Sequence, residues 1–315
     1  MSKLHLEYDR THGGNGVPTP VIQGHTHKTN PDEVLLTDWR RTDEHAFVVR
    51  ARWPRAHDFY TTRHGLHDPL LLSETVRQAL PLLSHVGYEI PLGHQLLWHD
   101  FRWELDPEAL YVTERDTRVE LHVTCSDLKY RRGRPASMLL TALVHRAGRQ
   151  LASTRTRFAI QDRAIYERLR GQYADLDLAN ARALPPAPPV PAPVVGRTRA
   201  MDVTLSPTGR PHRWLLRVDT SHPILFDHRV DHAPGMLLLE AGRQAAQAVT
   251  SPGASVVVGM DTAFIRYAEL DAPCEIRAHH YTTDEAGRRR VLVTAHQHDA
   301  EIFTDIVTLV GAPQG

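Results

Sequence analysis

Two cysteines in 315 residues, Cys125 and Cys274, are too few for a disulfide framework. They suit a reducing compartment, where a buried thiol packs as a small apolar group. An excess of charge of one sign is also missing. The 37 basic and 37 acidic residues cancel, which removes the electrostatic footprint of a general nucleic-acid binder. No apolar run approaches the ~20 residues of a membrane span. Met1 to Gly16 is polar and Gly/His-rich, unlike a signal peptide. A cytoplasmic protein with no membrane attachment is therefore expected. There is no Gly-x-Gly-x-x-Gly after a strand, no Gly-rich phosphate loop with Lys, and no Gly-x-Ser-x-Gly elbow. A dinucleotide cofactor and a covalent serine nucleophile are not indicated.

What is present is a repeat. Glu-x-x-Arg-Gln-Ala occurs as Glu74, Arg77, Gln78, Ala79 and again as Glu240, Arg243, Gln244, Ala245, 166 residues apart. His57, His67 and Pro69 match His222, His232 and Pro234 at an offset of 165. One fold used twice is the simplest source of such an offset. The length fits two domains of roughly 150 residues, and 41% hydrophobic content can build their cores.

Each half reads in the same order. Residues 1–24 form a loose leader. Glu33–Arg40 and Ala46–Trp53 read as strands, and a polar loop rich in His follows. Pro69 to about Val86 reads as a buried helix, apolar on most sides, which Pro81 should kink or end. Strand-like segments follow near 94–104, 110–125, 136–148 and 152–160. Residues 161–183 are polar and helix-prone. Pro185–Pro193, with six prolines in nine residues, reads as an extended spacer. Strand-like pieces then lie near 199–206 and 212–219, before a second His-rich loop. Pro234 opens the second apolar helix, which Ser251-Pro252-Gly253 ends. Four more strand-like stretches lie near 254–267, 273–282, 288–297 and 300–311. An apolar helix wrapped by a curved antiparallel sheet is the hotdog arrangement. The expected fold class is α+β, a tandem or double hotdog. Its first domain spans 25–165, a helical segment and Pro-rich linker 166–197, and the second domain 198–315.

The chemically capable residues sit on the two helices and their loops. Glu240 and Arg243, at i and i+3, share a helix face with Gln244. The same holds for Glu74, Arg77 and Gln78. Polar groups on apolar helices need partners or a cavity. Self-satisfied ion pairs are the structural alternative, weighed as even for Glu74 and Arg77 because their loop lacks a Pro-Gly start. The N–H groups at Pro234–Met236, including Gly235, lack intrahelical partners and suit a developing oxyanion. His228, His232 and His67 are candidate proton carriers. The pairs His25-x-His27, His279-His280 and His296-x-His298 lack a fourth ligand or Cys cluster, so no metal site and no cofactor are expected.

The segment His222–Ala245 resembles the active segment of hotdog acyl-carrier-protein dehydratases. Pro234-Gly235-Met236-Leu237 and Glu240-Ala241 match its helix start, although the loop behind Asp227-His228 is about two residues shorter. A more specific resemblance is to AfsA-type A-factor biosynthesis proteins. His27-Lys28 with Glu33-Val34-Leu35-Leu36-Thr37-Asp38 is similar to the start of that family. Phe226-Asp227-His228, Val230-Asp231-His232, Pro234 to Ala241 and Arg243-Gln244-Ala245 are similar to its strongest signature. Arg229 departs from it, where Pro is expected. The resemblance covers about residues 25–310.

That resemblance implies an acyltransferase of γ-butyrolactone or butenolide autoregulator synthesis, whose product switches on antibiotic production. The implied partners are acyl carrier protein bearing a β-ketoacyl thioester and dihydroxyacetone phosphate. Its chemistry implies a base (Glu240 or a loop His), oxyanion donors at the helix N-terminus, and Arg243 or Arg77 for phosphate. It also implies composite sites: Glu240 and Arg243 facing His57, His64 and His67, and Glu74 and Arg77 facing His228 and His232. Which of the two works, and whether the chain is a monomer or a homodimer, stay open. A dehydratase or thioesterase, or a non-catalytic acyl- or lactone-binding regulator, is the alternative.

Overall fold

The computed structural model describes residues 16–251 and 253–313, so most of the expected leader lies outside the described residues. In the first half, β1 (Thr19–Pro20), β2 (Leu36–Asp43) and β3 (Ala46–Trp53) precede α1 (Leu70–Tyr88). Then come β4 (Gln95–Leu105), β5 (Thr117–Arg131), β6 (Arg134–Arg146) and β7 (Arg149–Gln161). Two short helices, α2 (Arg163–Arg170) and α3 (Leu176–Ala181), lead to the proline segment. The second half repeats the plan. Strands β8 (Leu205–Pro207) and β9 (Arg213–Leu216) precede α4 (Gly235–Thr250). After it run β10 (Ser255–Phe264), β11 (Glu275–Thr283), β12 (Arg289–Gln297) and β13 (Ala300–Gly311).

All strand pairings are antiparallel and make one 13-stranded sheet, ordered β1-β2-β3-β5-β6-β7-β4-β10-β13-β12-β11-β9-β8. Apart from β1, the order reads the same from both ends once the two copies are overlaid. The copies meet through their equivalent strands β4 and β10, with Gly259 opposite Glu104 and Ala263 opposite Asp100. Each copy thereby covers an edge of the other that would otherwise be open to association.

Burial explains why each sheet curls round a helix. In α1, Leu70, Leu71, Leu72, Val76, Ala79 and Leu82 have no exposed surface. Each buried Leu contributes about 1.5–3 kcal/mol relative to exposure, and only a sheet that wraps the helix can cover every side. In α4, Leu237, Leu239, Ala241, Ala245 and Ala246 are equally enclosed. Pro81 neither ends nor breaks α1, which continues to Tyr88. Of the expected kink or end at Pro81, the end does not occur. The missing hydrogen bond is offset by packing, since Pro81 is itself buried. Cys125 and Cys274 are buried free thiols, and burial pushes them up to about 11 and about 12.

The proline segment lies along the second copy rather than hanging free. Val190 N–H donates to Leu205 O (3.0 Å), and Ala187 O accepts from Ser206 Oγ (3.0 Å) and Arg217 Nε (2.7 Å). Among the described residues no helix is long and apolar enough to cross a membrane.

Candidate functional site

One cavity of about 780 Å³ lies between the copies. From the first copy it is lined by His27, Lys28, Glu74 and Arg77, and by Trp98 and His99 of β4. From the second come Asp227, His228, His232 and the start of α4 at Pro234, Gly235 and Met236. Leu80, Leu96, Phe158, Phe264 and Ile302 add apolar wall. Acid, helix start and loop histidines therefore come from opposite copies, as the composite reading expects for Glu74 and Arg77.

Glu74 is held rigidly. Arg77 Nε donates to both its oxygens (3.1 and 3.0 Å), Arg77 Nη2 to Oε1 (3.0 Å) and Gln78 Nε2 to Oε1 (2.8 Å). Lys28 Nζ lies 3.6 Å away. Burial alone would raise its pKa, but the charges of Arg77 and Lys28 with these hydrogen bonds hold Glu74 at about 2. A carboxylate so stabilised is a poor base near neutral pH. It holds Arg77, whose Nη1 has no hydrogen-bond partner among the described residues.

His232 is held by a second carboxylate. Its Nδ1 lies 2.6 Å from Asp231 Oδ1. Asp231 Oδ2 accepts from Tyr166 Oη at 2.6 Å and from Arg170 Nε at 3.5 Å, both on α2. Burial opposes ionisation of Asp231, yet the bonds from His232 and Tyr166 and the Arg170 charge keep its pKa low. Arg170 grips Glu269 through two nitrogens, at 2.5 and 2.8 Å, and lies 3.9 Å over the Tyr267 ring. The Tyr267 ring in turn packs against His232 at 4.7 Å between centroids. With Nδ1–H committed to Asp231, the lone pair falls on Nε2, which has no protein partner among the described residues. His228 is half-exposed, with Nδ1 3.4 Å from Asp227 Oδ2.

The start of α4 is open. Pro234 gives no side-chain cap. The first backbone donors engaged are Leu237 and Leu238, both to Pro234 O. The N–H groups of Gly235 and Met236 have no hydrogen-bond partner among the described residues. A Cβ at position 235 would meet the Trp98 ring at 2.7 Å, so the ring or the helix start would have to shift. That ring is stacked between Phe101 and Phe264, with centroids 5.3 and 5.2 Å away.

At the second composite position Glu240, Arg243 and Gln244 are all buried. Glu240 has no exposed surface, and none of the three lines the cavity. Arg197 Nε donates to Glu240 Oε1 at 2.8 Å, and Arg243 Nε donates to Oε2 at 2.8 Å. Burial is again outweighed, here by Arg197 and Arg243, which hold Glu240 at about 2. Gln78 and Gln244 are both buried and bond internally through their amide groups. Gln78 binds Leu35 N, Glu33 O and Glu74. Gln244 makes the matching bonds to Thr204 N, Asp202 O and Glu240. His67 is buried, bonds Thr117 Oγ1 at 2.9 Å and lies edge-on to Trp53, away from the cavity. Burial pushes it down to about 4. His57 holds Glu33 (3.2 Å) and the Phe59 and Tyr60 N–H groups. Glu240 meets the first copy's loop through Arg197, which also donates to Phe59 O and lies 3.7 Å from Asp68 Oδ2.

Lys28, Asp231, Tyr166 and Arg170 were not singled out from sequence as site residues. A longer repeat carries the signal for Lys28: Lys28-Thr29-x-x-x-Glu33-Val34 matches Arg197-Thr198-x-x-x-Asp202-Val203. The dipeptide Asp231-His232 carries that for Asp231. The approach of α2 has no local signal.

Two halves of one sheet, each curled round a buried helix and joined edge to edge over one shared cavity, define a double hotdog. The fold is that of a Lactobacillus plantarum protein assigned as an oleoyl thioesterase (TM-score 0.53, 11% identity, 85% of this chain and 97% of that one). It is also that of the 12:0-ACP thioesterase from Umbellularia californica (TM-score 0.51, 10% identity, 84% and 94%). Residues 11–162 and 178–310 match the A-factor biosynthesis hotdog domain, and the chain belongs to that family. Relatives named 2-oxo-3-(phosphooxy)propyl 3-oxoalkanoate synthase occur in Streptomyces virginiae and Streptomyces coelicolor. The first is 42% identical, covering 91% of this chain and 97% of the relative. The second is 40% identical, covering 93% and 91%.

Proposed function

We propose that this enzyme transfers a β-ketoacyl group from acyl carrier protein to the hydroxyl of dihydroxyacetone phosphate, the first committed step toward a butenolide or γ-butyrolactone signal. The ester so formed is what the names of its relatives describe. The observation that carries the mechanism is His232, with Nδ1 held by Asp231 and Nε2 free, in the same cavity as Arg77 and the open start of α4.

His232 Nε2 takes the proton of the acceptor hydroxyl as its oxygen attacks the thioester carbonyl carbon. The carbonyl oxygen becomes negative beside the Gly235 and Met236 N–H groups. The C–S bond then breaks, and the proton on His232 passes to the leaving thiolate. Arg77 Nη1 receives the acceptor phosphate. The apolar wall along Leu80, Leu96, Phe158 and Ile302 takes the acyl chain. Catalysis is assigned to this one site, because Glu240 and Arg243 are sealed in their own ion-pair cluster.

The test is mass spectrometry of the purified protein with a β-ketoacyl carrier-protein thioester, with and without dihydroxyacetone phosphate. A phosphorylated keto ester formed only with the acceptor supports the assignment. Free acid formed regardless of acceptor would move it to a thioesterase, and bound but unconsumed thioester to a binding protein.

A further inference from the structure

The two long helices begin differently, and the difference marks a ligand. At the start of α1, Asp68 supplies an anion from within the chain. Its Oδ1 accepts from Leu70 N at 2.9 Å, and its Oδ2 lies 3.7 Å from Arg197 Nη1. The same guanidinium holds Glu240, donates to Phe59 O and lies 4.1 Å over the Phe59 ring. Helix N–H, cation and acid thus close around one carboxylate.

At α4 the equivalent of Asp68 is Ala233, since Pro69 aligns with Pro234. The helix start has no side-chain cap. Lys28 takes the place of Arg197. Its side chain is only 4% exposed and lines the cavity, and Nζ lies 3.6 Å from Glu74 Oε1 and 4.0 Å from Asp227 Oδ1. It makes no hydrogen bond among the described residues, whereas the Asp227 oxygens are engaged by Thr29 and Asn30. A buried ammonium with ion-pair partners no closer than 3.6 Å, lining the same cavity as the start of α4, is suited to an anionic oxygen.

We propose that Asp68 is a resident anion that keeps the second site shut, and that the matching point at Lys28, Ala233 and the start of α4 takes an anionic oxygen of the substrate. This rests on the acyl-transfer reading and adds to it the residues that decide which half is open. The oxygen comes either from the thioester carbonyl in the tetrahedral state or from the acceptor phosphate.

The deciding variant is Ala233→Asp, which copies Asp68 into the open half. A new cap should raise the melting temperature by about 2 °C, while acyl transfer falls by about 100-fold or more. Unfolding cannot produce that combination. A variant that is folded and transfers within about twofold of the parent overturns the proposal. Lys28→Met, with inorganic phosphate as probe, identifies the oxygen. Phosphate binding to the parent that weakens at least tenfold in Lys28→Met assigns the acceptor phosphate. No phosphate binding, with kcat lowered and KM for the acceptor unchanged, assigns the carbonyl oxygen. Neither binding nor any kinetic change in Lys28→Met overturns the proposal, as does a melting temperature that falls in both Ala233→Asp and the neutral Ala233→Asn. If the parent forms no ester at all, the acyl-transfer reading fails alone, and phosphate titration and melting still judge the anion site.

Discussion

His232 Nδ1 lies 2.6 Å from Asp231 Oδ1, and the other oxygen of that carboxylate is held by Tyr166 Oη at 2.6 Å. Neighbours in sequence thus form a dyad that a helix from the far end of the first copy locks in place. Asp231→Asn should disturb the tautomer while sparing the fold, lowering kcat by about 10²–10⁴-fold with little change in KM. Tyr166→Phe, which leaves the dyad intact, should lower kcat by about tenfold or less. Steady-state kinetics decide: an unchanged kcat in Asp231→Asn contradicts the positioning role.

Arg77 uses Nε and Nη2 on Glu74 and keeps Nη1 for the cavity. Arg77→Lys keeps the charge but cannot do both. KM for dihydroxyacetone phosphate should rise by about tenfold, with kcat changed by about threefold at most. A fall confined to kcat would instead place Arg77 in the chemical step.

The two buried glutamates set an acid limit. Glu74 and Glu240, each held at about 2 against an ordinary 4.5, favour the folded state. Since both folded values are depressed, that stability is complete above about 4.5 and is lost as pH falls from there toward 2. Glu240→Gln removes the acid of Arg243 and leaves Arg197 only Asp68, and should cost about 3–5 kcal/mol at pH 7. The deficit relative to the parent should shrink across the same window. Urea midpoints measured from pH 7 to pH 3 test this, and a deficit independent of pH would count against it.

Gly235 sits where α4 of one copy meets β4 of the other. An Ala Cβ would stand 2.7 Å from a Trp98 ring carbon, and the Trp98 ring is stacked on both faces. Gly235→Ala should cost about 1–3 kcal/mol of stability and lower activity, because the start of α4 must shift. Retention of both would mean that the aromatic stack yields.

Much of the fold is legible because its signals are local. β3 spans Ala46–Trp53 and β13 spans 300–311, as the alternation predicts, and the apolar α1 and α4 announce their burial. Pro81 misleads because enclosure of the whole helix outweighs one missing hydrogen bond. The site is harder to read. Glu240 follows Pro-Gly in sequence, but that helix start opens toward Glu74 of the other copy. Weighing each glutamate by its own loop therefore points to Glu240, whereas Glu74 is the one that lines the cavity. Lys28 and Arg197 lie far from their glutamates in sequence, and α2 reaches Asp231 only through the tertiary fold.

The most direct test is the acyl-transfer rate of His232→Gln, measured by mass spectrometry with saturating thioester and dihydroxyacetone phosphate and compared with the parent. Gln fills the space but cannot carry the proton. The account predicts a folded variant slower by about 100-fold or more, with phosphorylated keto ester still dependent on acceptor in the parent. A variant within about threefold of the parent would contradict the account, because the proton would then leave the acceptor hydroxyl by another route.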